Sequence, residues 1–135
     1  MTLTKVASVS LRSDASYVQE IESGMHTFWA DEPTSRGGDD AGPAPYDLLL
    51  AALGACTSIT LRMYAQRKGW DLGRIDVTLR LLKGPEEERI ERSLRVSAGI
   101  TDEQRAKLAE ICEKTPVTKT LRAGTPITTQ VEVAR

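Results

Sequence analysis

The sequence predicts an α+β fold. Segments with a period of two fall in groups suited to antiparallel pairing and do not alternate one by one with helices. A single long, proline-free apolar helix separates the first group from the second. The predicted order is βββ-α-ββ-α-β in one domain, residues 1–135, a length that suits one hydrophobic core.

Residues 3–11 (LTKVASVSL) alternate weakly, 16–22 (SYVQEIE) alternate better, and 25–30 (MHTFWA) form a short aromatic strand after a Ser23-Gly24 turn. Residues 31–45 contain three prolines, three glycines and four acidic residues, which makes them a loop. Pro45 suits a first helical turn, and Asp47 suits the positive end of the helix that follows. That helix runs from Tyr46 to Gly69. Its first half, Leu48 to Cys56, is apolar or small on every side, and its second half places Arg62, Gln66, Arg67 and Lys68 on one side. Nine such residues are too few to span a bilayer, so the stretch has to be buried all round. A chain of this length has too little material to wrap it, so the sequence predicts a homodimer.

After Gly69 the period returns to two. Ile75, Val77, Leu79 and Leu81 form one strand, and Ile90, Leu94, Val96 and Ala98 form another, with the loop 83–88 between them as an antiparallel hairpin. Thr101 and Gln104 have the spacing of a capping box for a second helix, 102–114, whose inward stripe is Leu108, Ile111 and Cys112. Pro116 breaks or restarts that helix. The tail 126–134 (Ile127, Thr129, Val131, Val133) alternates and is expected to close the fold as a strand.

Composition narrows the function. Lys+Arg number 18 against 19 Asp+Glu, and a net charge of −1 gives no electrostatic footprint for duplex nucleic acid or an anionic membrane. Two cysteines and one histidine do not close a tetrahedral zinc site without carboxylates, and no CxxC or HxxxH spacing exists, so no metal or other cofactor is expected. A mean hydropathy of −0.30 is that of an ordinary soluble domain. The opening MTLTKVASVSLRSD lacks the apolar core of a signal peptide, which predicts a reducing, cytoplasmic location.

Two thiols remain as candidates for chemistry. Cys56 lies mid-helix on a face shared with Leu49, Ala52, Leu53, Ile59 and Met63, as either a small buried hydrophobe or a reactive thiol. A free thiol is only about 3% thiolate at pH 7, so reactivity requires a nearby cation and hydrogen-bond donors; Arg36, Arg12 and Arg62 are the candidates. Cys112 reads as a core residue, and His26 as a packed, hydrogen-bonded one. The acidic group Asp31, Glu32, Asp39 and Asp40 reads as a solvated loop.

Residues 26–70, with DEP…GG…GPAPY followed by LLAALGACT, closely resemble the OsmC/Ohr family, most of all its OsmC-like branch. The segment EICEKTPVTKTL, residues 110–121, is similar to that family's second signature, EKCPVxxTL. The resemblance implies antiparallel sheets packed on a long central helix in an intertwined homodimer with active sites at the interface. It also implies a thiol peroxidase that reduces organic hydroperoxides and, more weakly, hydrogen peroxide, with a dithiol reductant regenerating it. Cys56 then corresponds to the attacking thiolate. The resolving position, however, is Thr115, and the other thiol, Cys112, stands three residues earlier. If 112–115 stay helical, Cys112 and Thr115 share a face and Cys112 is a displaced resolving thiol; otherwise an external thiol resolves, and Thr115 caps the turn at Pro116. Tyr46 stands where the peroxidase branch has a polarising glutamate, with Asp47 beside it, and Arg36 is the candidate cation. The alternative implied by Thr115 is a non-catalytic dimer that binds a small apolar ligand in the interface cleft.

Overall fold

A computed structural model describes residues 2–134. The chain forms two compact units, residues 1–51 and 52–135.

The first unit is a three-stranded antiparallel sheet and a loop. The strands β1 (Ser10–Arg12), β2 (Gln19–Ser23) and β3 (His26–Ala30) are ordered β1-β2-β3. Ser23 pairs with His26, so Gly24 and Met25 make the hairpin turn, and Gly24 has a φ of +58° that other residues rarely adopt. The first strand is much shorter than its alternation predicts. Residues 3–9 form no strand pairing among the described residues, and Leu3 and Val6 are 95% and 96% exposed.

The loop after β3 contains a 3₁₀ turn, Thr34–Arg36, and is organised around Asp31. This carboxylate is not solvated, as the sequence suggested, but buried. It accepts the backbone N–H groups of Glu32 (2.7 Å), Asp39 (3.0 Å) and Ala41 (3.1 Å). Those bonds, chiefly the one from Ala41, outweigh burial and hold its pKa below the usual carboxylate range. A loop of this composition has few side chains to pack, so a buried acceptor that ties three amides gives it its shape.

Helix α1 (Pro45–Lys68) opens as the sequence indicates, with Pro45 in the first turn and Asp47 accepting the N–H of Ala44 at 3.3 Å. It is the one helix among the described residues long and apolar enough to cross a membrane by length and composition, which the nine-residue count did not suggest. Its buried residues, Leu53, Gly54, Thr57, Leu61 and Ala65, form a single stripe.

In the second unit, β4 (Ile75–Lys83) and β5 (Glu88–Val96) pair antiparallel, with Val77 opposite Leu94, Leu79 opposite Arg92 and Leu81 opposite Ile90. The connection is shorter than predicted because Gly84 donates its N–H to the Glu87 carbonyl at 2.8 Å. A glycine inside a helix costs about 1 kcal/mol relative to alanine. At Gly54 the reason is contact: a Cβ there falls 2.9 Å from Leu79 Cδ1.

Helix α2 (Asp102–Cys112) begins with the expected capping box: Thr101 Oγ1 accepts from Gln104 N at 3.0 Å, and Gln104 Oε1 accepts from Thr101 N at 2.9 Å. It ends two residues earlier than predicted, and a third helix, α3 (Pro116–Ala123), follows. Leu61, Ala65, Leu72, Leu108 and Cys112 form the core, with Trp70, Ile75, Leu94, Val96, Ile100 and Ile111 packed on it. The tail 126–134 is not a strand here. Ile127, Val131 and Val133 are 87–88% exposed, since no strand among the described residues pairs with them.

Candidate functional site

Cys56 lies one residue before the buried Thr57 on α1, which rotates it about 100° off the buried stripe and leaves it half-buried. Of the residues expected on its face, Leu49, Ala52, Ile59 and Met63 lie within about 60° of it around the helix and are exposed, whereas Leu53, at the margin of that face, is buried in the stripe. The helix therefore has two apolar faces. One packs into the core of residues 52–135, and the other is open with Cys56 at its centre.

A backbone amide from the third helix meets the sulfur. Val117 N donates to Cys56 Sγ at 3.5 Å, and Val117 is the second residue of α3. N–H groups in a first helical turn have no intrahelical acceptor and carry the positive end of the helix dipole. Pro116 sets this geometry from both sides: it is preorganised for the first turn, and it keeps the preceding Thr115 extended (φ −69°, ψ 149°).

That backbone geometry removes the premise that residues 112–115 continue one helix. Cys112 ends α2, Glu113 caps it, and Thr115 starts a new element. Thr115 is fully buried and occupies the N-cap position of α3, but its hydroxyl makes no capping bond. It lies 2.6 Å from the hydroxyl of Thr118 instead. Cys112 is 6% exposed within the core. Burial pushes its thiol above the ordinary range, with Arg92 opposing and Glu113 adding to the rise.

The residue that the sequence reading missed is Arg92. It lies on β5 between Ile90 and Leu94, in the inward phase of that strand, and its side chain is only 12% exposed. Its guanidinium donates from Nη1 to Thr57 Oγ1 and to Thr118 Oγ1, each at 2.9 Å, and from Nη2 to the Cys112 carbonyl at 3.0 Å. The Glu113 carboxylate is 3.7 Å away. Thr57 passes its own proton to the Leu53 carbonyl at 2.7 Å, so the buried hydroxyl is satisfied in both directions. A charge that interrupts an apolar alternation at an inward position was the available signal.

Arg36 is exposed at the end of the 3₁₀ turn, where its N–H bonds the Pro33 carbonyl at 2.9 Å. Asp47 serves the start of α1, while Arg12 and Arg62 are exposed. His26, expected to be packed, is exposed at the β2–β3 turn. Among the described residues, no group of three or more His, Cys, Asp or Glu is placed to hold a metal ion.

Comparison with known proteins agrees with this architecture. No curated protein matches the sequence. Among solved structures, the OsmC-like protein of Mycoplasma pneumoniae is similar with a TM-score of 0.77 at 16% identity, covering 89% of each chain. The organic hydroperoxide resistance protein OsmC of Legionella pneumophila gives 0.67 at 18%, covering 90% of this chain and 92% of its own. OhrB, the organic hydroperoxide resistance protein of Bacillus subtilis, gives 0.61 at 23%, covering 87% and 91%. At these identities the likeness is one of fold. The OsmC-like protein family model matches residues 37–130, and on that match the chain belongs to the OsmC-like family.

Proposed function

We propose that the protein is a thiol-dependent peroxidase of organic hydroperoxides, acting in peroxide defence with Cys56 as the nucleophile. The observation that carries this reading is the Val117 N–H on the Cys56 sulfur, at the centre of an open apolar helix face. The Cys56 thiolate attacks the outer peroxide oxygen. The O–O bond breaks, the alkoxide takes a proton and leaves as an alcohol, and Cys56 becomes a sulfenic acid. The Val117 amide faces the sulfur on which charge concentrates, and the surrounding aliphatics suit an alkyl hydroperoxide better than hydrogen peroxide.

Resolution in this reading comes from outside. Thr115 has no sulfur, and Cys112 is sealed in the core with its ionisation suppressed. A small thiol reductant therefore attacks the sulfenic sulfur, releasing water and forming a mixed disulfide. A second thiol, or the other arm of a dithiol, then exchanges with it to free Cys56. The chemistry calls for no metal or organic cofactor, and a reducing cytoplasm supplies the thiol.

The assembly we propose is a homodimer whose second copy covers the open face of α1. Its support is the exposure in one chain of Leu49, Ile59 and Met63 on α1, together with the unpaired apolar alternation of the tail. Sedimentation at micromolar concentration is expected to give a dimer; a stable monomer overturns the assembly.

Thr115 favours the second reading, a non-catalytic dimer that binds a small apolar ligand. A turnover assay separates the two. With cumene hydroperoxide and excess dithiothreitol, the purified protein is expected to consume peroxide catalytically. Ligand binding without peroxide loss supports the second reading and refutes the first.

A further inference from the structure

The sulfur chemistry above uses Cys56 and the Val117 amide but leaves the buried arginine cluster without a task. We infer that Arg92 is a positioning residue for the Cys56 site, holding the first turn of α3 against α1 so that the Val117 N–H stays on the sulfur. The inference rests on reading Cys56 as the nucleophile.

The chain of contacts is short. One guanidinium nitrogen, Nη1, binds both Thr57 and Thr118 at 2.9 Å. Thr57 is the residue next to Cys56, and Thr118 is the residue next to Val117. The same nitrogen thus clamps together the immediate neighbours of the sulfur and of its donor. Nη2 holds the Cys112 carbonyl and so fixes the end of α2, from which the chain turns into α3. Thr115 braces Thr118 from the other side.

The fork of a guanidinium is what this arrangement uses. Three acceptors on three separate stretches of chain are met by two rigidly related nitrogens, which the single ammonium of lysine cannot reproduce. Burial makes the choice costly to undo, because a charge that is 12% exposed needs its partners. For stability alone, an apolar residue in the Ile90–Leu94 stripe is the simpler solution.

The test uses the two cysteines of the intact protein as paired reporters, with iodoacetamide as the probe and mass spectrometry to read each site. Arg92→Lys and, as a milder change, Thr118→Val are each expected to slow Cys56 alkylation about tenfold, the scale of one hydrogen bond to a charged acceptor. Cys112 remains protected in both, and Thr118→Ser, which keeps the hydroxyl, stays within about twofold of wild type. Unchanged Cys56 rates in both variants overturn the inference. So does faster alkylation of both cysteines, which assigns Arg92 to fold stability only, or of Cys56 alone, which makes the arginine a shield. No peroxide enters this experiment. A wild-type protein that shows the alkylation pattern but forms no sulfenate with cumene hydroperoxide defeats the peroxidase reading and leaves the positioning role intact.

Discussion

Cys56 and Cys112 belong to the same compact unit and are both free cysteines on helices, yet their surroundings differ in kind. Cys56 has a backbone N–H on its sulfur and an open apolar face around it. Cys112 has leucines and an alanine around it, and the polar groups nearby bind its carbonyl and leave the thiol to the core. Burial raises its pKa and so suppresses its ionisation, and the neighbouring Arg92 only partly offsets that. The number of cysteines suggests a redox pair. Their environments suggest one working thiol and one structural thiol.

The largest expected effect breaks the comparison at its stronger side. Cys56→Ser is expected to reduce peroxide turnover by about a thousandfold or more, since oxygen replaces the only nucleophile the account recognises. Cys112→Ala is expected to leave turnover with dithiothreitol within about twofold while lowering stability by about 1–2 kcal/mol through loss of buried volume. Equal losses in the two variants contradict the division of roles.

Thr115→Cys sharpens it. Thr115 sits two residues before the amide that touches Cys56, at the position where the family's second signature carries its cysteine. The substitution is expected to give an intramolecular disulfide to Cys56 within seconds of adding peroxide, read as two hydrogens lost from the intact mass. It also removes the Thr115–Thr118 hydrogen bond, at a cost of about 1 kcal/mol. A variant that oxidises but never cross-links shows that α3 is held too far from α1 for the signature to operate.

The smallest effect is a pH slope. Because burial raises the Cys112 thiol above its unfolded value, the unfolded chain loses that proton first as pH rises. The stabilisation is full below the unfolded thiol range, near pH 8.5, and declines as pH climbs toward the folded value. Thermal midpoints are expected to fall more steeply above pH 9 in the wild type than in Cys112→Ala. Parallel slopes indicate that Cys112 is not as sealed as its packing suggests.

Much of the fold was legible where local rules and tertiary needs coincide. The long helix, the capping box of Thr101 and Gln104, the β4–β5 alternation and the position of the Gly24 turn all follow from short-range chemistry. Residues 3–9 and 126–134 carry an alternating pattern too, but a pattern makes a strand only when an edge receives it, and among the described residues none pairs with them. Cys56 and its face were legible from helical spacing. The donor on its sulfur was not, because it is a backbone amide 61 residues away, placed by a proline that reads only as a break. Arg92 is visible as a charge in the apolar phase of β5, but its partners come from three helices far along the chain, which no local pattern reveals.

One measurement bears most directly on the claim that a single thiol does the work. The intact protein is treated with one equivalent of cumene hydroperoxide in the presence of dimedone, and both cysteines are mapped by mass spectrometry. A dimedone adduct on Cys56 and an unmodified thiol at Cys112 are expected. A Cys56–Cys112 disulfide contradicts the division between the two thiols, and an unmodified Cys56 contradicts the peroxidase itself.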